Sequence, residues 1–130
     1  MAIGTFRNAW QAVTTTQAAP TDSSVPDADS SATVSNGARG SQFLMEFDLY
    51  GTSGTQNATI TLYFWDPARQ RWAASPTTIS LTSTQTASGP GSRVVYALDS
   101  ILPYFGVKPV VSAISGTGAT VSCAITTNGP

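Results

Sequence analysis

The side chains able to do chemistry in this chain fall into three groups, and histidine is in none of them because the sequence has none. Its absence removes the commonest general base, the Ser–His and Cys–His nucleophile pairs and the commonest metal ligand. Glu46 and Asp48 form the first group. Two residues apart on a strand, they would point to one face about 7 Å from each other, a separation that inverting glycosidases use. A catalytic pair also needs an enclosing cleft and one raised pKa, and the flanking residues supply neither. A solvated outer face accounts for the pair more simply.

Asp22, Asp27 and Asp29 form the second group. Their spacing matches neither an EF-hand loop nor a nonapeptide calcium repeat, so Asx turns in a polar loop explain them. The third group is aromatic and cationic: Tyr63, Trp65, Arg69, Arg71 and Trp72 crowd around one turn. An aromatic row on a sheet can stack on sugar rings. Trp, Tyr and Arg are also the residues enriched at protein–protein hot spots. The plainer alternative is cross-strand aromatic packing, worth about 0.5–1 kcal/mol per pair. Phe6, Trp10, Val25 and Val34 complete the candidate contact residues, as the large apolar side chains of the N-terminal region.

No motif implies a cofactor or a bound metal. Cys123 is the single cysteine, which rules out an internal disulfide and a cysteine zinc site, and its neighbours Val121 and Ile125 mark it as a buried, inert thiol. Gly89-Pro90-Gly91 and Gly116-Thr117-Gly118 lack the lysine and following helix of a phosphate loop and read as turns. Five Arg and one Lys are scattered along a chain of net charge −1, with no basic patch for nucleic acid. Residues 1–13 contain no long apolar run, so neither a secretion signal nor a membrane span is expected. Asn57-Ala58-Thr59 matches the glycosylation sequon, a pattern common by chance.

These side chains need elements to hold them, and the composition points to strands. Ser and Thr number 35 of 130 residues, while charged residues make up only 10%, against about 25% in a typical soluble domain. Threonine favours extended chain and serine favours turns. So few charges give little protection against association, which suits a protein whose working state is bound. Thr5 to Val13 reads as a strand with Phe6 and Trp10 on one face. Residues 14–41 form a Ser/Thr/Ala/Pro-rich arm without enough apolar surface to fold alone.

From Ser41 a two-residue period sets in. Phe43, Met45, Phe47 and Leu49 share one face of a strand, with Gln42, Glu46 and Asp48 on the other. A turn over 51–56 leads to a second strand from Ala58 to Trp65, with Ile60, Leu62 and Phe64 facing in and Thr59, Thr61 and Tyr63 facing out. Asp66 to Gln70 reverses the chain into Arg71–Ala73, a hairpin. Shorter strands follow at Thr77–Thr82, Arg93–Leu98 and Val107–Ser115, with a loop over 83–92. The stretch 115–118 reads as the turn of a final hairpin between Val110–Ile114 and Ala119–Thr127. The sum is an all-β fold, an antiparallel β-sandwich or jelly roll of about seven to eight short strands. It divides into an N-terminal strand and arm (1–40) and a sandwich (41–130) within one structural domain.

The Met1 start, the arm Thr14–Gly40, the strands within Gln42–Tyr50 and Thr59–Trp72 and the Gly-rich ending Val110–Thr127 together resemble small virion proteins of tailed bacteriophages, of the head decoration (cement) type. The resemblance is one of layout across the whole chain and carries no functional residue with it. It implies a non-enzymatic structural protein that binds and stabilises a capsid lattice. Its expected partners are the major capsid protein or other virion proteins, with a homo-oligomer, such as a trimer, on a shell with local three-fold axes. The chain would be made in the host cytoplasm and carried on the virion. A carbohydrate- or receptor-binding β-sandwich, or a tail- or fibre-associated protein, is the alternative.

Overall fold

The computed structural model describes residues 5–21, 42–66, 68–87, 89–99 and 107–127. It contains seven strands: β1 (Thr5–Val13), β2 (Gln42–Gly51), β3 (Ser53–Asp66), β4 (Arg71–Gln85), β5 (Gly89–Asp99), β6 (Val107–Thr117) and β7 (Thr120–Thr127). They form two antiparallel sheets, one of four strands in the order β1-β7-β2-β5 and one of three in the order β4-β3-β6. The protein is a β-sandwich. In an eight-stranded jelly roll the sheets run first-eighth-third-sixth and second-seventh-fourth-fifth. Removing the second strand and renumbering gives the observed order, so the missing strand falls between β1 and β2, beside β6.

The alternation read from the sequence builds the inner faces. Met45, Phe47 and Leu49 of β2 and Val121, Cys123 and Ile125 of β7 point inward from the larger sheet. Ala58, Ile60 and Leu62 of β3, Ile79 and Leu81 of β4, and Val107 and Val111 of β6 meet them from the smaller one. Each fully buried Leu, Ile or Phe contributes about 1.5–3 kcal/mol, and this layer is what holds the sheets together.

Several boundaries depart from the sequence reading. The turn expected over 51–56 shrinks to the junction at Thr52, and the loop expected over 83–92 shrinks to the gap between Gln85 and Gly89. Residues 71–85 form one continuous strand despite Pro76. The register explains this: Thr61 pairs with Thr78 and Tyr63 with Ala74, so three residues of β4 bulge opposite Leu62. Pro76 sits in that bulge on an edge strand, where its missing N–H costs no ladder bond. Trp65 is buried, and Phe64 is half-buried and packs against the core, the inner face the sequence reading gave it.

The final hairpin is not a hairpin. β6 lies in the three-stranded sheet and β7 in the four-stranded one, so 116–119 is an arch between sheets. The β2–β3 junction crosses at the same end, and the two arches are bonded together. Thr117 O accepts from Thr52 N (3.1 Å), Thr52 Oγ1 (3.0 Å) and Gln56 Nε2 (3.3 Å). Gln56 is fully buried and also donates to Ser53 O at 2.7 Å. A Cβ on Gly51 would collide with Gln56 Cδ, and Gly116 (φ +108°) packs against the backbone of Thr55 and Gln56. Glycine is needed at both positions to let this buried amide close the end of the sandwich.

Candidate interaction surfaces

The Trp65–Trp72 hairpin is built as the sequence reading placed it. Trp65 pairs with Trp72 and Asp66 with Arg71 across β3 and β4. The turn is set by Asp66, whose Oδ1 accepts from Ala68 N (3.0 Å) and Arg69 N (3.2 Å), an Asx turn. Its Oδ2 takes the Arg69 guanidinium at 3.1 Å, and Gln70 closes the turn in the left-handed region at φ 56°. Desolvation alone would push the Asp66 carboxyl up. The hydrogen bonds from the Arg69 side chain and from the Arg69 and Ala68 backbone outweigh it, so the pKa lies below its ordinary 3.8.

The two indoles are not a platform. Their rings meet edge to face, with centroids 5.5 Å apart and planes at 70°, and only 5% of Trp65 and 8% of Trp72 is exposed. For this pair the plainer alternative holds, cross-strand aromatic packing. Tyr63 is half-buried, while Arg69 and Arg71 are exposed.

The N-terminal candidates divide. β1 is an edge strand of the four-stranded sheet, with Phe6 opposite Thr126 and Trp10 opposite Cys123. The register shifts between Asn8 and Trp10. β1 belongs to the sheet, and the arm read from the sequence begins after it at Thr14. Gln17 then meets the outer edge of β6, its N–H donating to Val111 O (2.9 Å) and its side-chain Oε1 accepting from Val111 N (3.0 Å). This is the place of the missing jelly-roll strand. Val25, Val34 and the Asp22, Asp27 and Asp29 cluster lie outside the described residues.

The outer faces of the two sheets differ sharply. On the three-stranded sheet the outward residues of β3 and β4 pair as Thr55–Thr84, Asn57–Thr82, Thr59–Ser80 and Thr61–Thr78. Neighbours tie one another: Thr55 Oγ1 to Thr84 Oγ1 (3.1 Å), Thr82 Oγ1 to Asn57 Oδ1 (2.8 Å) and Thr61 Oγ1 to Ser112 Oγ (2.9 Å). The result is an uncharged hydroxyl surface.

The four-stranded sheet instead carries Glu46, Asp48 and Arg93. Arg93 Nε reaches Asp48 Oδ1 at 2.6 Å and Glu46 Oε1 at 3.2 Å. The hydrogen bond to Asp48 and the charges of Asp48 and Glu46 raise the Arg93 pKa. The two carboxylates do share a face, as their spacing required, but they are bound to one guanidinium on an open sheet surface. Around them stand Leu44, Tyr50 and Val95, the large hydrophobic residues most exposed among those described. The sequence reading passed over these three. Leu44 and Tyr50 are apolar residues on the polar phase of the β2 alternation, and that mismatch was the available signal.

Cys123 is buried in the core, and burial, with a smaller push from Asp48, moves its thiol pKa far upward. Such a thiol is inert.

Neither the protein-family models nor the curated proteins contain a match to the chain. Among solved structures it is similar to the X-ray crystal structure of a non-crystalline cellulose specific carbohydrate-binding module, CBM28. The two are 18% identical with a TM-score of 0.33, over 73% of this chain and 59% of that one. A likeness that remote carries no argument about function, and the chain spans under two thirds of that structure's length.

Proposed function

We propose that the chain is a non-enzymatic structural protein that binds and stabilises a capsid lattice, a head decoration protein carried on the virion of a tailed phage. The observation that supports this reading most is the course of the arm. After Val13 the chain crosses from the four-stranded sheet to the edge of the other and is pinned at Val111 by both polar groups of Gln17. A Ser/Thr/Ala/Pro-rich segment that follows this fixed point is suited by composition to lie across a neighbouring subunit. Ordering it there costs about 1–2 kcal/mol per residue, which extended contacts with the lattice must offset. Many copies on a symmetric shell add avidity to modest individual contacts.

The test keeps β1 and Gln17 and replaces residues 22–40 with a Gly/Ser linker of equal length. The variant should fold with an unchanged circular-dichroism spectrum and fail to co-sediment with purified heads stripped of the protein. Undiminished binding would remove the arm from the account. The glycan-binding alternative draws on a different observation, the exposed Thr, Ser and Asn side chains of the three-stranded sheet. A glycan-array signal lost on Thr59→Ala/Thr61→Ala would favour it, and no signal from the intact chain would end it.

A further inference from the structure

The mixed face of the four-stranded sheet has the chemistry of a surface that is normally covered. Leu44 is 44% exposed, Tyr50 38% and Val95 54%, and all three stand around one ion cluster. Val95 is directly opposite Glu46, and Arg93 is opposite Asp48, on the β2–β5 ladder. Between β2 and β1 runs β7, whose outward residues in register with β2 are small: Thr120, Ser122, Ala124 and Thr126. Small side chains there leave the sheet flat enough for another sheet to approach.

We propose that this face is a self-association surface joining two copies of the chain across a two-fold axis. The charges favour a second copy as the occupant because the patch is complementary to itself. Among the described residues both ion pairs of Arg93 use Nε, and its two terminal amino groups are further donors. Each carboxylate has one oxygen bound to Nε and a second oxygen available as an acceptor. Across a two-fold axis the guanidinium of each copy can therefore bridge to the carboxylates of the other, the reciprocal pattern an isologous interface requires. Leu44, Val95 and Tyr50 then form the apolar surround that excludes water from the exchanged pairs.

The size of the face sets the strength of the contact. Four strands about 4.8 Å apart, each about 30 Å long, present roughly 600 Å² per copy. The total of roughly 1,200 Å² is at the lower limit for a specific protein–protein interface. An area of this size fits a reversible dimer rather than an obligate one. The proposal is independent of the capsid reading, since it concerns the isolated chain.

Sedimentation velocity on the full chain, over a concentration series from low to high micromolar, tests it. A monomer–dimer equilibrium is expected. Val95→Glu places a third carboxylate beside Glu46 and Asp48 and should weaken association by at least about 100-fold, because like charges brought together at an interface cost several kcal/mol. Leu44→Gln should weaken it by about 10-fold through lost apolar contact. Leu44 is exposed, so Leu44→Gln at dilute concentration should melt with the parent, whereas Val95→Glu, directly opposite Glu46, should melt slightly lower while remaining folded by circular dichroism. A native chain that stays monomeric at every concentration would overturn the proposal. A trimer would also overturn it, as would a dimer that survives both substitutions or disappears when residues 22–40 are replaced.

Discussion

The outer faces of the two sheets are built on the same scaffold and do opposite things with it. The three-stranded sheet spends its outward positions on Thr, Ser and Asn, which hydrogen-bond to one another and leave no net charge. The four-stranded sheet places Arg93 between Glu46 and Asp48 and surrounds them with Leu44, Tyr50 and Val95. A surface whose polar groups are satisfied internally has little left to offer a partner beyond its shape. One that combines unused charge with exposed apolar area gains from being covered. The contrast favours the four-stranded face as the proposed self-contact.

The largest expected effect lies beneath both faces and calibrates them. Phe47→Ala should destabilise the fold by about 3–5 kcal/mol, read as a shift in the denaturant midpoint. A loss well below that would mean the sheets are held by something other than the shared core. Next is the joint that keeps the faces in a fixed relation. Gly51→Ala pushes a methyl group into the buried Gln56 amide and should cost about 1–3 kcal/mol. If the cost is negligible, the amide is not the closure of that end.

Smaller again is the direct comparison of the faces. Thr82→Val removes one hydroxyl from the neutral ladder and should change stability by no more than about 0.5 kcal/mol. It should leave the sedimentation profile unchanged, unlike Val95→Glu. If Thr82→Val abolished association, the assignment of the faces would have to be reversed. The smallest effect concerns pH at the hairpin. Asp66 has a lowered pKa in the folded chain, so its contribution is fully present above its ordinary value of 3.8 and is lost as pH falls through the folded value. Asp66→Asn should therefore lower the melting temperature slightly at neutral pH, where the charge contribution is present, and converge with the parent as pH falls below about 4, flattening the acid limb.

Much of this architecture was legible in the residues. The alternation around Met45, Phe47 and Leu49 and around Val121, Cys123 and Ile125 identified inner faces, because a half-buried strand must repeat every two residues. The bounds of β1 agree with the sequence reading. Strand lengths were harder to read. Ser75-Pro76 looks like a break, and only the pairing partner reveals that a bulge absorbs it. The Gly116–Gly118 turn carried the right chemistry but not its destination, since a turn signal does not say which sheet the next strand joins.

The site was less legible than the fold. Trp65 and Trp72 have the composition of a binding hot spot, and their burial decides for cross-strand packing instead. Arg93 was invisible as a partner of Glu46 and Asp48, because 45 residues separate it from Asp48 in sequence. Val25 and Val34 lie outside the described residues.

The account stands or falls on attachment to a particle. The most direct measurement of the proposed decoration role is a quantitative mass-spectrometric inventory of purified particles from the source of the chain. The account predicts the chain in numbers comparable to the capsomers of the shell and released together with loss of head stability. Its absence from intact particles, or a copy number confined to a single tail ring, would contradict it.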